Sequence, residues 1–310
     1  MTNRTALFSR HQPGGVFTVD DLEQHPGDIW FVDSGATAAS DATGYGQNPD
    51  APFATLDYAI GQCTASNGDV IYVMPGHAEN LTAADSIDVD VAGIKIIGLG
   101  WGALKPTFST TAAAGSFKID AANVLVRNIK LVANFATGTT AGMTLTANAT
   151  DLIVEQCDWR DTSAANEFLL HVTIPTGVGP CTFRDCTFVT AAGSMTNSFL
   201  FAGTSTDFTI ERCYFFVDSS DSVIDHLAGA SANLRVSDCT IINQDTGAAG
   251  YCVQQKSDGT GVVSRCLLAY NKVDAEISVG AATWWFENYA TNTVGTSSGV
   301  LDPAAGAAVP

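Results

Sequence analysis

Apolar and polar positions recur along the middle of the chain in one fixed order. Six segments align: NVLVRNIKLV (123–132), DLIVEQCDWR (151–160), CTFRDCTFV (181–189), FTIERCYFFV (208–217), LRVSDCTIIN (234–243) and GVVSRCLLAY (261–270). A common reference position falls at Ile129, Cys157, Cys186, Cys213, Cys239 and Cys266, at intervals of 28, 29, 27, 26 and 27 residues. Three residues before it stand Val126, Val154, Phe183, Ile210, Val236 and Val263; two after it stand Leu131, Trp159, Phe188, Phe215, Ile241 and Leu268. On each side apolar alternates with polar, the period of a half-buried strand. The phase changes across the two polar residues that precede the reference. Each repeat is therefore expected to hold a strand, a two-residue corner and a second strand.

A third strand per repeat is expected at MTLTA (143–147), FLLHVT (168–173), FLFAG (199–203), VIDHLAG (223–229), YCVQQ (251–255) and EISVG (276–280). Loops of Gly, Ser, Thr, Asn and Asp, variable in length, separate these strands from the next pair. VIYVMPG (70–76) and IKIIGLG (94–100) read as earlier coils, and TWWFENYA (283–290) as a last one. Coils that agree in strands and differ in loops predict a solenoid. Solenoid ends need caps, and Leu56, Ala59, Ile60 and Cys63 at helical spacing predict an amphipathic helix within 52–66, with Pro52 and Thr55 near its start. The expected divisions are an arm over 1–28, an entry strand and capping helix over 29–66, the solenoid over 67–291 and a tail over 292–310.

The corner residues test this stacking. The first corner column reads Arg127, Glu155, Arg184, Glu211, Ser237, Ser264, and the second Asn128, Gln156, Asp185, Arg212, Asp238, Arg265. If repeats stack about 4.8 Å apart as parallel strands, opposite charges face one another from coil to coil. A meander of hairpins gives no reason for such agreement.

Composition changes the picture in two ways. The chain carries 32 acidic and 14 basic residues, a net charge of -18, while only 15% of its residues are charged and 46% are hydrophobic. That combination is globular rather than disordered. The negative surface argues against nucleic-acid and anionic-membrane partners. There is no apolar run of membrane-spanning length and no apolar secretory stretch in the opening residues. Eight cysteines include no CxxC pair, and five of them occupy the reference column. Each of those five is followed two residues on by an inward apolar residue, so free, buried thiols are expected at Cys157, Cys186, Cys213, Cys239 and Cys266.

Three-strand repeats with a two-residue corner resemble the right-handed parallel β-helix of the pectin-lyase-like superfamily. The opening FVDSGATAASDATGYGQNPDAPFATLDYAIGQCTASNGDVIYVMPGH (31–77) is similar to the start of many phage and prophage β-helix proteins: an Asp-Ser strand, a P-F-A-T-L helix, then a G-D-V-I-Y-V-x-P-G-x strand. The resemblance implies an all-β solenoid over roughly residues 30–290. It also implies a non-enzymatic virion protein, a capsid decoration or cement component assembled in the host cytoplasm. Other capsid proteins would be its partners, with homotrimeric assembly and no cofactor. The superfamily includes lyases, hydrolases, tailspikes and adhesins, so a tailspike-like polysaccharide lyase or hydrolase and a carbohydrate-binding adhesin remain alternatives.

The candidate residues bear on that choice. VIDH (223–226) resembles the Asp-His signature of some pectate lyases, and Asp218, Asp221 and Asp225 are candidate calcium ligands. Asp85, Asp88 and Asp90 alternate along one run, and Asp158 and Asp161 flank a corner. Solvated carboxylates are the simpler reading of these acids. No pair among His11, His25, His77, His171 and His226 has catalytic spacing. Trp284 and Trp285 are adjacent, so one must face outward; a subunit contact is favoured over sugar binding.

Overall fold

The computed structural model describes residues 27–191, 193, 195–246, 251–270, 278–279, 282–292 and 298–300. The expected arm (1–28) and tail (292–310) lie almost entirely outside these. Three sheets of ten, ten and eight strands run the length of the described chain. Strands before each corner, such as Leu152–Glu155 and Cys181–Arg184, form the first sheet; strands after it, such as Asp158–Asp161 and Thr187–Val189, form the second. The third runs from Ile87–Val89 to Ser278–Val279. Pairing is parallel throughout, apart from Ser298–Val300, which runs antiparallel against Tyr289–Asn292. The chain is a parallel β-solenoid with three strands per coil.

Register follows the repeat alignment residue for residue. Val154 lies between Val126 and Phe183, and Trp159 between Leu131 and Phe188. Inward residues therefore stack on their equivalents. Trp159 and Phe188 stack at 4.5 Å between centroids, Phe188 and Phe215 at 4.6 Å, and Phe199 of the third sheet meets both Phe188 and Phe183 edge-on. Such pairs add about 0.5–1.5 kcal/mol each to the burial of the rings.

The corner gains its shape from a single residue. Asn128, Gln156, Asp185, Arg212, Asp238 and Arg265, together with Glu287 of the last coil, all take φ between 51° and 57°. The left-handed conformation is uncommon for residues with a Cβ. In the six before the last coil the N–H donates to the first corner residue of the next coil: Asn128 to Glu155 O at 3.0 Å, Gln156 to Arg184 O at 3.1 Å, Asp185 to Glu211 O at 3.1 Å. Bonds made only in this conformation hold the corner in place and reverse the alternation.

The reference column sits just beyond the corner. All eight cysteines are free, and the five of the column are buried. Each thiol lies 3.2–3.4 Å from the carbonyl two residues back and 3.6–3.8 Å from a carbonyl of the preceding coil, as Cys186 does from Arg184 O and Val154 O. A thiol is a small apolar group that can also donate weakly, which suits a buried corner with carbonyls turned inward. Asn288 is a seventh member of the column. Its amide donates to Val263 O at 2.8 Å and its carbonyl accepts from Cys266 N at 2.9 Å.

Two expectations are corrected. The helix spans only Leu56–Ile60, capped by the Thr55 hydroxyl, which accepts from Tyr58 N at 3.4 Å. Its Leu56, Ala59 and Ile60 are buried, but Cys63 lies beyond it in the turn that follows Gly61. Nor do the charge columns form continuous ladders. Buried Glu155 binds both Arg127 and Arg184, the latter at 2.6 Å. Glu211 instead bonds sideways to Arg212 at 3.1 Å, and Arg212 and Arg265 reach back to Asp185 and Asp238 at 2.8 and 2.6 Å. Residues at the left-handed position splay along the corner, so each arginine reaches one coil rather than two.

Arg184→Glu should lower stability by about 1–3 kcal/mol, because it strips buried Glu155 of one of its two arginines and adds a like charge. Glu211→Ala should stay within about 0.5 kcal/mol. Urea titration of both variants checks the order; equal losses would mean that the first column is energetically continuous after all.

Candidate functional site

Groups able to carry acid–base or metal chemistry fall in three places: inside the solenoid, on the outer face of the third sheet, and on the loops that follow the second sheet.

Besides His77 at the N-terminal end, the interior of the described residues holds His171 and His226. His226 of VIDH stacks on Phe201 at 4.3 Å, with its ring nitrogens 2.7 Å from Ser205 Oγ and from Gly229 O. His171 has Nδ1 at 3.1 Å from Ser198 Oγ and no partner for Nε2. Both are fully buried, and burial lowers both pKa values, that of His171 to about 3. Neutral rings sealed from solvent are core residues, so the Asp-His likeness of 223–226 has no counterpart in an accessible site. Asp225 is buried too, and its carboxylate accepts from Leu227 N at 2.9 Å, bracing the turn that follows its strand.

The three candidate calcium ligands are not gathered around one point. Asp218 accepts from Gly193 N at 3.2 Å and lies in the field of Asp245 and Glu167, whereas Asp225 is raised by burial and then by Asp221. Among the described residues, no three His, Cys, Asp or Glu side chains are arranged to hold a metal ion.

Lys118 is a cluster centre that repeat reading missed. It lies in Phe117–Ile119, one coil from Asp88, and its Nζ is 3.0 Å from Asp88, 3.2 Å from Asp120 and 3.5 Å from Asp85. Asp120 also accepts from Thr146 Oγ1 at 2.5 Å and Asn148 Nδ2 at 2.8 Å, hydrogen bonds that with Lys118 lower its pKa. The hydrogen bond to Asp88 and the surrounding carboxylates hold the amine protonated well above its ordinary range. This ring therefore neutralises charge and disfavours proton abstraction by Lys118. Strand alternation places Asp88 and Lys118 outward, but no corner marks the register of the third sheet.

A second acidic group lies on the loops. Asp161, at the end of Asp158–Asp161, accepts from Phe168 N at 3.1 Å. Burial, joined by the charge of Glu167, raises its pKa to about 7, against the lowering pull of backbone hydrogen bonds. Asp158 is parted from it and binds Lys105 at 2.9 Å, whose amine also donates to Gln156 O at 2.5 Å.

The motif of the opening residues resolves into structure at the N-terminal end. Asp41 accepts from Ala54 N, Thr55 N and Thr55 Oγ1 at 2.8–3.1 Å, and Glu79 from Leu56 N at 3.0 Å, so two carboxylates hold the start of the helix. His77, buried, accepts from Ser34 N at 3.0 Å and lies 3.2 Å from Glu79. Asp69 of G-D-V-I-Y-V accepts from Asp28 N, Thr64 N and Asn67 Nδ2 at 2.6–2.7 Å. At the other end, Trp284 is the outward member of its pair, while Trp285 packs partly against the core.

No family model and no curated sequence matches the chain. Solved structures share its fold, two lyases among them. A rhamnogalacturonan lyase aligns at 16% identity and a TM-score of 0.50, covering 79% of this chain and 69% of its own length. The pectate lyase Pel9A aligns at 12% identity and 0.51, covering 78% and 63%. These likenesses show a parallel β-helix fold.

Two groups give opposite pH signatures. The raised pKa of Asp161 means that the folded state holds a proton the unfolded chain releases, so its contribution is present below about pH 4 and is lost as pH rises through about 7. Asp161→Asn should raise the melting temperature by a few degrees at pH 8 and change it little at pH 4. The lowered pKa of His171 contributes stability above about pH 6.5 that is lost as pH falls toward about 3. His171→Phe should flatten that acid limb. Melting curves across pH 4–8 would contradict both assignments if variants and parent ran parallel.

Proposed function

We propose that the chain is a structural, non-catalytic rod. The observation that carries this reading is that basic groups of the solenoid wall are engaged in holding it together. Arg127 and Arg184 clamp Glu155, Arg212 and Arg265 tie corners to the preceding coil, Lys105 bridges two coils and Lys118 is ringed by three carboxylates. A lyase needs an accessible base whose pKa lies near the working pH; His171 and His226 are sealed inside, Lys118 is held protonated, and Asp161, raised to about 7, is half-buried with its carboxylate engaged by Phe168 N.

The finer reading is a virion component that decorates or cements a phage capsid, with other capsid proteins as partners and copies of the chain associated on the shell. It is supported by the likeness of residues 31–77 to phage β-helix openings. A negatively charged wall suits attachment to a basic partner surface.

A second reading, a polysaccharide lyase, is favoured by the Lys118–Asp85–Asp88–Asp120 cluster on an outer face and by the names of the two structural neighbours. Incubating purified protein with polygalacturonate and with rhamnogalacturonan, with and without calcium, separates the two. The structural reading expects no unsaturated product from the parent, and only a stability loss in Lys118→Ala. Product formation that Lys118→Ala abolishes would establish the lyase instead. Imaging of phage particles made with and without the gene tests the finer reading, which fails if the particles never contain the protein.

A further inference from the structure

The outer face of the second sheet changes character halfway along the rod. Its third and fourth strands, Lys130–Ala133 and Asp158–Asp161, turn Lys130, Asp158 and Arg160 outward. Its next five, Thr187–Val189, Tyr214–Val217, Thr240–Asn243, Leu267–Tyr270 and Tyr289–Asn292, carry no acidic or basic residue at all. In a chain of net charge -18, five consecutive charge-free strands form a distinct surface.

The outward side chains there are largely apolar and stacked in register. One column runs through Tyr214, Thr240, Leu267 and Tyr289, and the next through Phe216 and Ile242. Tyr214, Leu267 and Tyr289 are 40%, 48% and 60% exposed, and Phe286, which precedes the last corner, is 56% exposed. Large apolar side chains on a flat sheet face are usually covered by something.

We propose that this face is covered by the same face of another copy of this chain. A strongly acidic protein repels its own kind everywhere except where it carries no charge, so a charge-free face is where two copies can approach. A basic partner would be drawn to the acidic surfaces instead. Five strands at about 4.8 Å, with a width of roughly 14 Å, give on the order of 350 Å² per copy and about 700 Å² for a pair. That is small for a permanent dimer, so association is weak and concentration-dependent, strengthening where copies are held side by side. The inference is independent of whether the rod is structural or a lyase.

Sedimentation analysis of the purified full chain from about 1 to 300 μM tests it, a range wide enough to detect weak self-association. The expected result is a rise in mass from 32.3 kDa to a multiple of it. Leu267→Asp and Tyr214→Asp, both outward and each expected to keep the parental melting temperature within a few degrees, should raise the dissociation constant at least tenfold. A monomer at every concentration would overturn the proposal. So would folded variants that associate as well as the parent.

Discussion

At six successive corners between the first and second sheets, from Asn128 to Arg265, the N–H of a left-handed residue reaches the carbonyl of the corner residue one coil on, and the register of those two sheets depends on that bond. A left-handed residue with a side chain is locally unfavourable, so the corner persists because each coil holds its neighbour in it. Once Asn128 bonds to Glu155 O and Gln156 to Arg184 O, the strands on both sides are fixed in phase. Val126 then lies against Val154, and Trp159 against Phe188. Because parallel strands are offset by a single coil, an error at one corner would turn a whole strand inside out.

The same bend turns carbonyls toward the interior, where water cannot reach them. The cysteine column answers with weak donors that also pack as small apolar groups. Asn288 answers the same need with an amide where the column meets the end of the solenoid. Burial pushes the thiols of Cys157, Cys186 and Cys213 well above their ordinary range, which leaves them unreactive. His226 finds two partners inside, Ser205 and Gly229, and His171 finds one. Polar atoms in this core thus serve the fold, and the interior supplies no chemistry to the surface.

Stacking also governs the electrostatics. With few bases available, those on the wall lie beside acids one coil away, and the remaining acid is left on loops and outer faces. Asp161 is a half-buried carboxylate beside the acid Glu167, and its pKa rises to about 7. The charge-free half of the second sheet is the opposite case, a surface from which both signs are absent. The fold shared with the rhamnogalacturonan and pectate lyases here carries a wall in which the Lys118 cluster is locked as ion pairs.

Much of the architecture was legible in the chain. The spacing of Ile129, Cys157, Cys186, Cys213, Cys239 and Cys266, with the phase change before them, determined the strands, the corner, the register and the buried column, because a repeat that stacks on itself writes its contacts as periodicity. Asp218, Asp221 and Asp225 lie close in sequence, yet Asp218 falls in the field of Asp245 and Glu167 while Asp225 falls in that of Asp221. Glu155 and Glu211 occupy the same column, yet one holds two arginines and the other turns to its own neighbour. Lys118 is drawn to Asp85, Asp88 and Asp120 by a third sheet that has no corner to mark it. Equivalence between coils follows from backbone hydrogen bonds, which are the same in every repeat and so are visible in sequence. Which charged side chain meets which depends on where long, flexible side chains end, and only the tertiary structure decides that.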